Sequence, residues 1–188
     1  MTRQANLKNV RSVPSSSEYH KSPDRVIFDF SDTQQTALWL PMNDVVMGGV
    51  STGTLTQYTS ATALFGGEVS LERGGGFSSV RTAPAEHNLS GFRGLTLVVR
   101  GDGKRYKWNM TADGSASTVL YQVAFETVHG QWIEVPILFA DLVPTFRGRM
   151  LHDHPALDTR RIRSFGFMIS GRQAGSFALE VALITAQR

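Results

Sequence analysis

The sequence predicts an all-β protein, an antiparallel β-sandwich of jelly-roll type, and three observations predict it. Leu95, Leu97 and Val99 fall on one side of their segment, and Tyr106, Trp108 and Met110 do the same in the next. Such alternation belongs to strands with one buried face. Between the apolar runs stand Gly101-Asp-Gly103, Asp113-Gly114, His129-Gly130 and Ser170-Gly171, which supply the positive φ angles of tight reversals. No segment sustains a 3.6-residue apolar period, apart from a single helical turn expected at 138–142.

In chain order, strands are expected at 26–30, 55–59, 61–71, 77–82, 95–99, 106–110, 119–125, 132–138, 162–169 and 177–183. In the last of these, Phe177, Leu179, Val181 and Leu183 would form one face. About ten short strands with turns between them suit a sandwich or jelly roll. No internal repeat breaks the chain, so residues 25–188 are read as a single domain and residues 1–24 as a flexible lead-in.

The chain has 188 residues, enough for one domain that removes roughly 70% of its unfolded surface from water. With 41% hydrophobic and 19% charged residues it reads as an ordinary soluble protein, and no apolar run approaches the ~18 residues of a spanning helix. The absence of cysteine excludes disulfides, thiolate nucleophiles and Cys-rich zinc sites. Arg3, Lys8, Arg11, Lys21 and Arg25 precede any apolar stretch, which excludes a secretory signal and leaves a transit-peptide reading. The default location is cytoplasmic, with mitochondrial as the alternative if the N-terminus is a leader. A net charge of +3, with Arg100, Lys104, Arg105 and Lys107 in one segment and Arg160, Arg161 and Arg163 in another, points to anionic partners, RNA among them.

The densest motif is Asn43-Asp-Val-Val-Met-Gly-Gly-Val-Ser-Thr-Gly53. Its Gly49-Val-Ser-Thr-Gly53 portion matches the nucleophile elbow of hydrolases, but Thr54-Leu-Thr-Gln-Tyr-Thr follows, a strand former where the elbow needs a helix. Asn43 and Asp44 can bind backbone amides, while Gly48 and Gly49 can take left-handed angles, so the loop is expected to fold back on itself. Arg81 ends an apolar strand and needs a carboxylate partner, for which Asp44 is a candidate by chemistry. His152-Asp-His154 has a spacing that a metal could use, but reads as a polar loop, and no metal or other cofactor is expected. Trp39, Trp108, Tyr121 and Trp132 alternate with polar residues and read as core rather than as a sugar platform.

Taken in order, Trp39-Leu-Pro-Met-Asn-Asp-Val-Val-Met-Gly-Gly-Val-Ser51, Phe65-Gly-Gly-Glu-Val-Ser-Leu71 and Gly74-Gly-Gly-Phe-Ser-Ser-Val-Arg81 resemble the complex I intermediate-associated protein 30 domain family. Tyr121-Gln-Val-Ala-Phe125, Trp132-Ile-Glu-Val135, Phe146-Arg-Gly-Arg149 and Gly175-Ser-Phe-Ala-Leu-Glu180 continue the resemblance, which covers residues 26–186. It implies a galactose-binding-like β-sandwich. It also implies a non-catalytic assembly or scaffolding factor, as the mitochondrial member holds an intermediate of respiratory complex I (NADH:ubiquinone oxidoreductase). Related domains are fused to dehydrogenase-like modules, one of them in a plant protein acting on a chloroplast messenger RNA; this sequence has no Gly-x-Gly-x-x-Gly after a strand. The resemblance makes Asn43, Asp44, Met47, Gly48, Gly49, Ser51 and Arg81 the expected partner- or ligand-binding set. No catalytic residue is expected. The alternatives to a protein partner are a carbohydrate or small ligand, and RNA.

Overall fold

The apolar alternation and glycine turns fold into two sheets facing one another. The computed structural model describes residues 8–10, 25–113 and 119–188, with the backbone alone at 8–10, 46 and 47. Strands follow as β1 (Lys8–Val10), β2 (Arg25–Asp29), β3 (Trp39–Pro41), β4 (Thr52–Thr59), β5 (Thr62–Val69), β6 (Ser78–Thr82) and β7 (Gly94–Gly101). The second half of the chain adds β8 (Arg105–Thr111), β9 (Leu120–Glu126), β10 (Trp132–Leu138), β11 (Val143–Phe146), β12 (Arg149–Met150), β13 (Ser164–Ile169) and β14 (Gly175–Gln187). The first sheet has the order β1-β10-β7-β14-β5-β4, with β2 beside the latter part of β14. The second has the order β12-β11-β9-β8-β13-β6-β3. Among the described residues every ladder between strands is antiparallel, as in a sandwich of hairpins and crossovers.

All ten expected strands are present, with shifted ends. The 162–169 run starts at Ser164, because Ile162 makes an isolated bridge with His87 instead. The expected helical turn is the 3-10 turn Phe139–Asp141. Glycines take positive φ at Gly103, Gly130 and Gly171, where reversals were read; Gly114 lies outside the described residues. Of the lead-in, residues 8–10 pair along β10, and residues 1–7 and 11–24 lie outside the described residues.

β14 corrects the expected face. Phe177, Leu179 and Val181 point into the core, but a bulge between Val181 and Leu183 adds a residue and shifts the parity. Ile184 and Ala186 then face inward, while Leu183 joins Val98, Trp132 and Ala182 in a small cluster on the other side of the first sheet. The main core lies between the sheets and is rich in rings. Phe28 of the first sheet meets Trp39 of the second at 5.2 Å, and Trp39 stacks on Phe167 at 5.4 Å.

The outer face of the first sheet carries a charged pair. The Arg100 Nε donates to Glu180 Oε2 at 2.8 Å, Thr62 Oγ1 donates to Glu180 Oε1 at 2.7 Å, and the guanidinium lies 5.3 Å from the Trp132 ring centre. Glu180 is 5% exposed, so removing its carboxylate leaves a partly covered cation unpaired and the buried Thr62 hydroxyl with only the Thr59 hydroxyl, 2.7 Å away, as partner. Glu180→Ala is therefore expected to lower stability by about 2 kcal/mol. Urea denaturation checks this, and a loss under about 0.5 kcal/mol, the range of an ordinary surface substitution, would contradict it.

Candidate functional site

The Asn43–Gly53 loop joins β3 to β4, and its local chemistry explains its shape. Asn43 is extended, at φ −82° and ψ 167°, and precedes the 3-10 turn Asp44–Met47. Gly48 closes that turn at φ 89°, a left-handed angle that favours glycine. Its amide donates to Val45 O and the Gly49 amide to Asp44 O. The chain thus turns back over Asp44.

Asp44 is the centre of the arrangement and is 1% exposed. Its Oδ1 accepts from the Ser51 amide at 3.0 Å. Its Oδ2 accepts from the Ser51 hydroxyl at 2.6 Å, the Gly76 amide at 2.8 Å and the Phe77 amide at 3.3 Å. The Ser51 oxygen in turn accepts from the Ser70 amide at 3.0 Å. One carboxylate therefore clasps its own loop to the glycine-rich connection between β5 and β6. Burial pushes the Asp44 carboxyl up, but the Ser51 hydroxyl and the amides of Gly76, Phe77 and Ser51 outweigh it and hold the group below the ordinary carboxylate range.

The neighbouring groups fit this clasp closely. A Cβ on Gly49 would lie 2.4 Å from the Asp44 carboxylate, and one on Gly75 2.7 Å from its Oδ2. Asn43 forms a parallel tie: its Nδ2 donates to Gly53 O at 3.1 Å and its Oδ1 accepts from the Ser78 hydroxyl at 2.7 Å. The glycines at 49 and 75 are thus required for space, and Gly48 for its backbone angle.

The expected site residues divide accordingly. Asn43, Asp44, Gly49 and Ser51 come together, with their polar groups turned inward. Gly48 lies at the surface, beside Val45, 61% exposed, and Val50, 39% exposed. The Met47 side chain lies outside what is described. Arg81 stands apart from the clasp. It is half-buried on β6, opposite Gly166 and Leu40, and the charge acting on it is that of Asp113. Burial pulls the Arg81 pKa down and Asp113 offsets part of that. The expected Asp44–Arg81 pair is replaced because the Asp44 oxygens are already occupied by Ser51, Gly76 and Phe77.

Ser51 is 0% exposed and its hydroxyl donates to a carboxylate, with β4 rather than a helix following it, so it does not form a nucleophile elbow. His154 Nδ1 lies 3.3 Å from the Tyr121 hydroxyl, and among the described residues no group of three His, Asp or Glu side chains could hold a metal ion. Trp39, Trp108 and Tyr121 belong to the core, and Trp132, 6% exposed, lies beneath Arg100. Ser70, Gly76 and Phe77 were missed as members of the clasp. Their only sequence signal was the triple glycine at 74–76, which announced a close backbone approach without naming what approaches.

The fold is that of an antiparallel β-sandwich module of jelly-roll type. Two solved structures share it: the family 11 carbohydrate-binding module of the cellulosomal cellulase Lic26A-Cel5E of Clostridium thermocellum and a family 30 carbohydrate-binding module. The first has a TM-score of 0.66 at 11% identity, covering 89% of this chain and 96% of that one. The second has a TM-score of 0.55 at 14% identity, covering 88% and 99%. Both likenesses concern the fold alone. The model of the complex I intermediate-associated protein 30 family matches residues 28–181, and the chain belongs to that family. It is similar to the Drosophila melanogaster protein named complex I intermediate-associated protein 30, mitochondrial, at 25% identity over 83% of this chain and 60% of that protein. The Mus musculus protein of the same name is 28% identical over 85% of this chain and 55% of that protein. The matched region is less than two-thirds of the length of either relative.

Proposed function

We propose that the chain is a non-catalytic protein-binding factor that assists assembly of respiratory complex I, and that the clasped loop presents part of its partner surface. The observation that carries this reading is the family match over residues 28–181, with the fly and mouse relatives named for complex I intermediates. The same names support a mitochondrial location in place of the cytoplasmic default. Among the described residues of the loop, Val45, Gly48 and Val50 are exposed to a partner, while Asp44 and Ser51 are spent inside. Two exposed apolar side chains on one turn suit contact with protein. Trp39, Trp108, Tyr121 and Trp132 are buried, as core residues are, and lend no support to the carbohydrate alternative.

The test is affinity capture from native cells after crosslinking, with and without RNase, using the wild-type chain and Val45→Ser/Val50→Ser. Respiratory-complex subunits are expected to survive RNase and to fall at least about tenfold with the double variant, on the scale of losing one apolar hot spot. Capture that vanishes with RNase, or that is equal in both proteins, would contradict the reading. Asn43→Ala/Asp44→Ala is unsuitable for this purpose because it removes the clasp as well as any contact.

A further inference from the structure

The outer face of the second sheet departs from the usual half-buried strand. β8 and β9 turn Tyr106, Trp108, Tyr121, Val123 and Phe125 into the core, yet several of their outward polar residues are also covered. Asn109 is 4% exposed and Gln122 9% exposed. They form the floor beside a groove of about 270 Å³, walled on one side by the β11–β12 hairpin at Gly148 and Met150 and on the other by Ser170 and Gly171. That volume falls just under the ~300 Å³ at which small-molecule pockets begin, and suits one or two side chains of a larger partner.

The floor satisfies itself. Gln122 Nε2 donates to Asn109 Oδ1 at 2.7 Å, and Gln122 Oε1 lies within 2.9 Å of the Thr145 hydroxyl that can donate to it. The Asn109 oxygen is therefore engaged, and the one Thr145 hydroxyl proton is shared between Gln122 Oε1 and Leu120 O, 3.0 Å away. Lys107 lines the groove, half-buried, and no carboxylate pairs with it among the described residues. The Ser170 hydroxyl, also in the lining residues, is buried without a hydrogen-bond partner. Arg105 lies at the lip, 3.4 Å from Glu126. Arg147 and Arg149 flank Gly148 and Arg172 follows Gly171, none of them in an ion pair among the described residues. A groove with cationic donors left over, apolar walls at Val143 and Met150, and one nearby carboxylate fits an anionic side chain on a short aliphatic stem.

We infer that this groove receives an acidic, extended segment of the protein partner, with a glutamate or aspartate carboxylate on the Lys107 ammonium and further acids on the arginine rim. The inference rests on the protein-binding reading above and specifies the partner's chemistry. Among the described lining residues there is no aromatic ring on which a base could stack, which favours peptide over single-stranded RNA. Burial and the charge of Arg105 both lower the Lys107 pKa, and a bound carboxylate would reverse that penalty.

The experiment titrates the full chain with a capped peptide of alternating glutamate and alanine, following the Gln122 side-chain amide by NMR and affinity by calorimetry. The expected result is a shift of the Gln122 amide, at least about tenfold weaker binding in Lys107→Met, partial retention in Lys107→Arg, and no binding of the glutamine–alanine counterpart. Unchanged affinity in Lys107→Met, or a Gln122 amide that moves with oligouridylate and not with the peptide, would overturn it. Lys107→Met removes an unpaired half-buried charge, so it should remain folded. The capture experiment separates the two readings. If wild-type and Lys107→Met chains retain the same subunits equally, the groove assignment fails and the assembly reading stands. If the peptide binds through Lys107 but no subunit is captured, the assembly reading fails and the groove assignment is supported.

Discussion

Asp44→Asn is expected to lower stability by about 3 kcal/mol at neutral pH, although it changes one oxygen to nitrogen. The carboxylate accepts from the Ser51 amide and hydroxyl and from the amides of Gly76 and Phe77. A carboxamide turns a donor toward one of these donors and strands it in a site that is 1% exposed. The pH dependence follows from the direction of the shift. Because the folded pKa lies below the unfolded value, the stabilisation is fully present above the unfolded value, about 4, and is lost as pH falls through the folded one. The gap between wild type and Asp44→Asn should therefore be widest at neutral pH and should narrow as acid is added. Urea melts at several pH values check this. A gap that is constant with pH would mean that the charge of Asp44 contributes nothing.

Gly49→Ala is the second large effect, expected at about 3 kcal/mol, near the upper end for overpacking. The added methyl would sit 2.4 Å from Asp44 Cγ and Oδ1, and the hydrogen bonds that fix the carboxylate prevent it from moving aside. Gly48→Ala provides the contrast. Nothing lies within 4 Å of its Cβ position, so only the positive φ of 89° resists, at about 1–2 kcal/mol. A double-mutant cycle isolates the cause. In an Asp44→Ala background the Gly49→Ala penalty should largely disappear, because the obstructing carboxylate is gone. Additive losses at 44 and 49 would show that space around Asp44 is not what requires the glycine.

Much of the fold was legible because alternation records one buried face. β8 and β10 lie where Tyr106, Trp108, Met110 and the 132–138 run placed them. β1, β3, β11 and β12 were missed because strands of three, three, four and two residues are too short to display a period. The β14 bulge was invisible for a related reason: Ala182 and Leu183 are as apolar as their neighbours, so nothing in the residues marks where the parity changes. The clasp was half legible. Asn-Asp and Gly-Gly announced a self-bonded loop, but its other half arrives from residues 70–77, where the triple glycine marks a close approach without identifying the partner. Arg81 was assigned the wrong carboxylate because charge alone cannot tell Asp44 from Asp113. The groove residues Lys107 and Gln122 sit at alternate polar positions, which on a single strand look the same whether they face water or a partner.

Asp44 turns inward to hold its loop rather than outward to bind. Amide hydrogen exchange at Ser51, Gly76 and Phe77 tests it most directly, comparing wild type with Asp44→Asn. All three amides should be protected in the wild type and should exchange at least about tenfold faster in the variant, with the β8 and β13 amides changing less. Rapid exchange of these amides in the wild type, or identical rates in the two proteins, would contradict the clasp and return Asp44 to the surface as a binding residue.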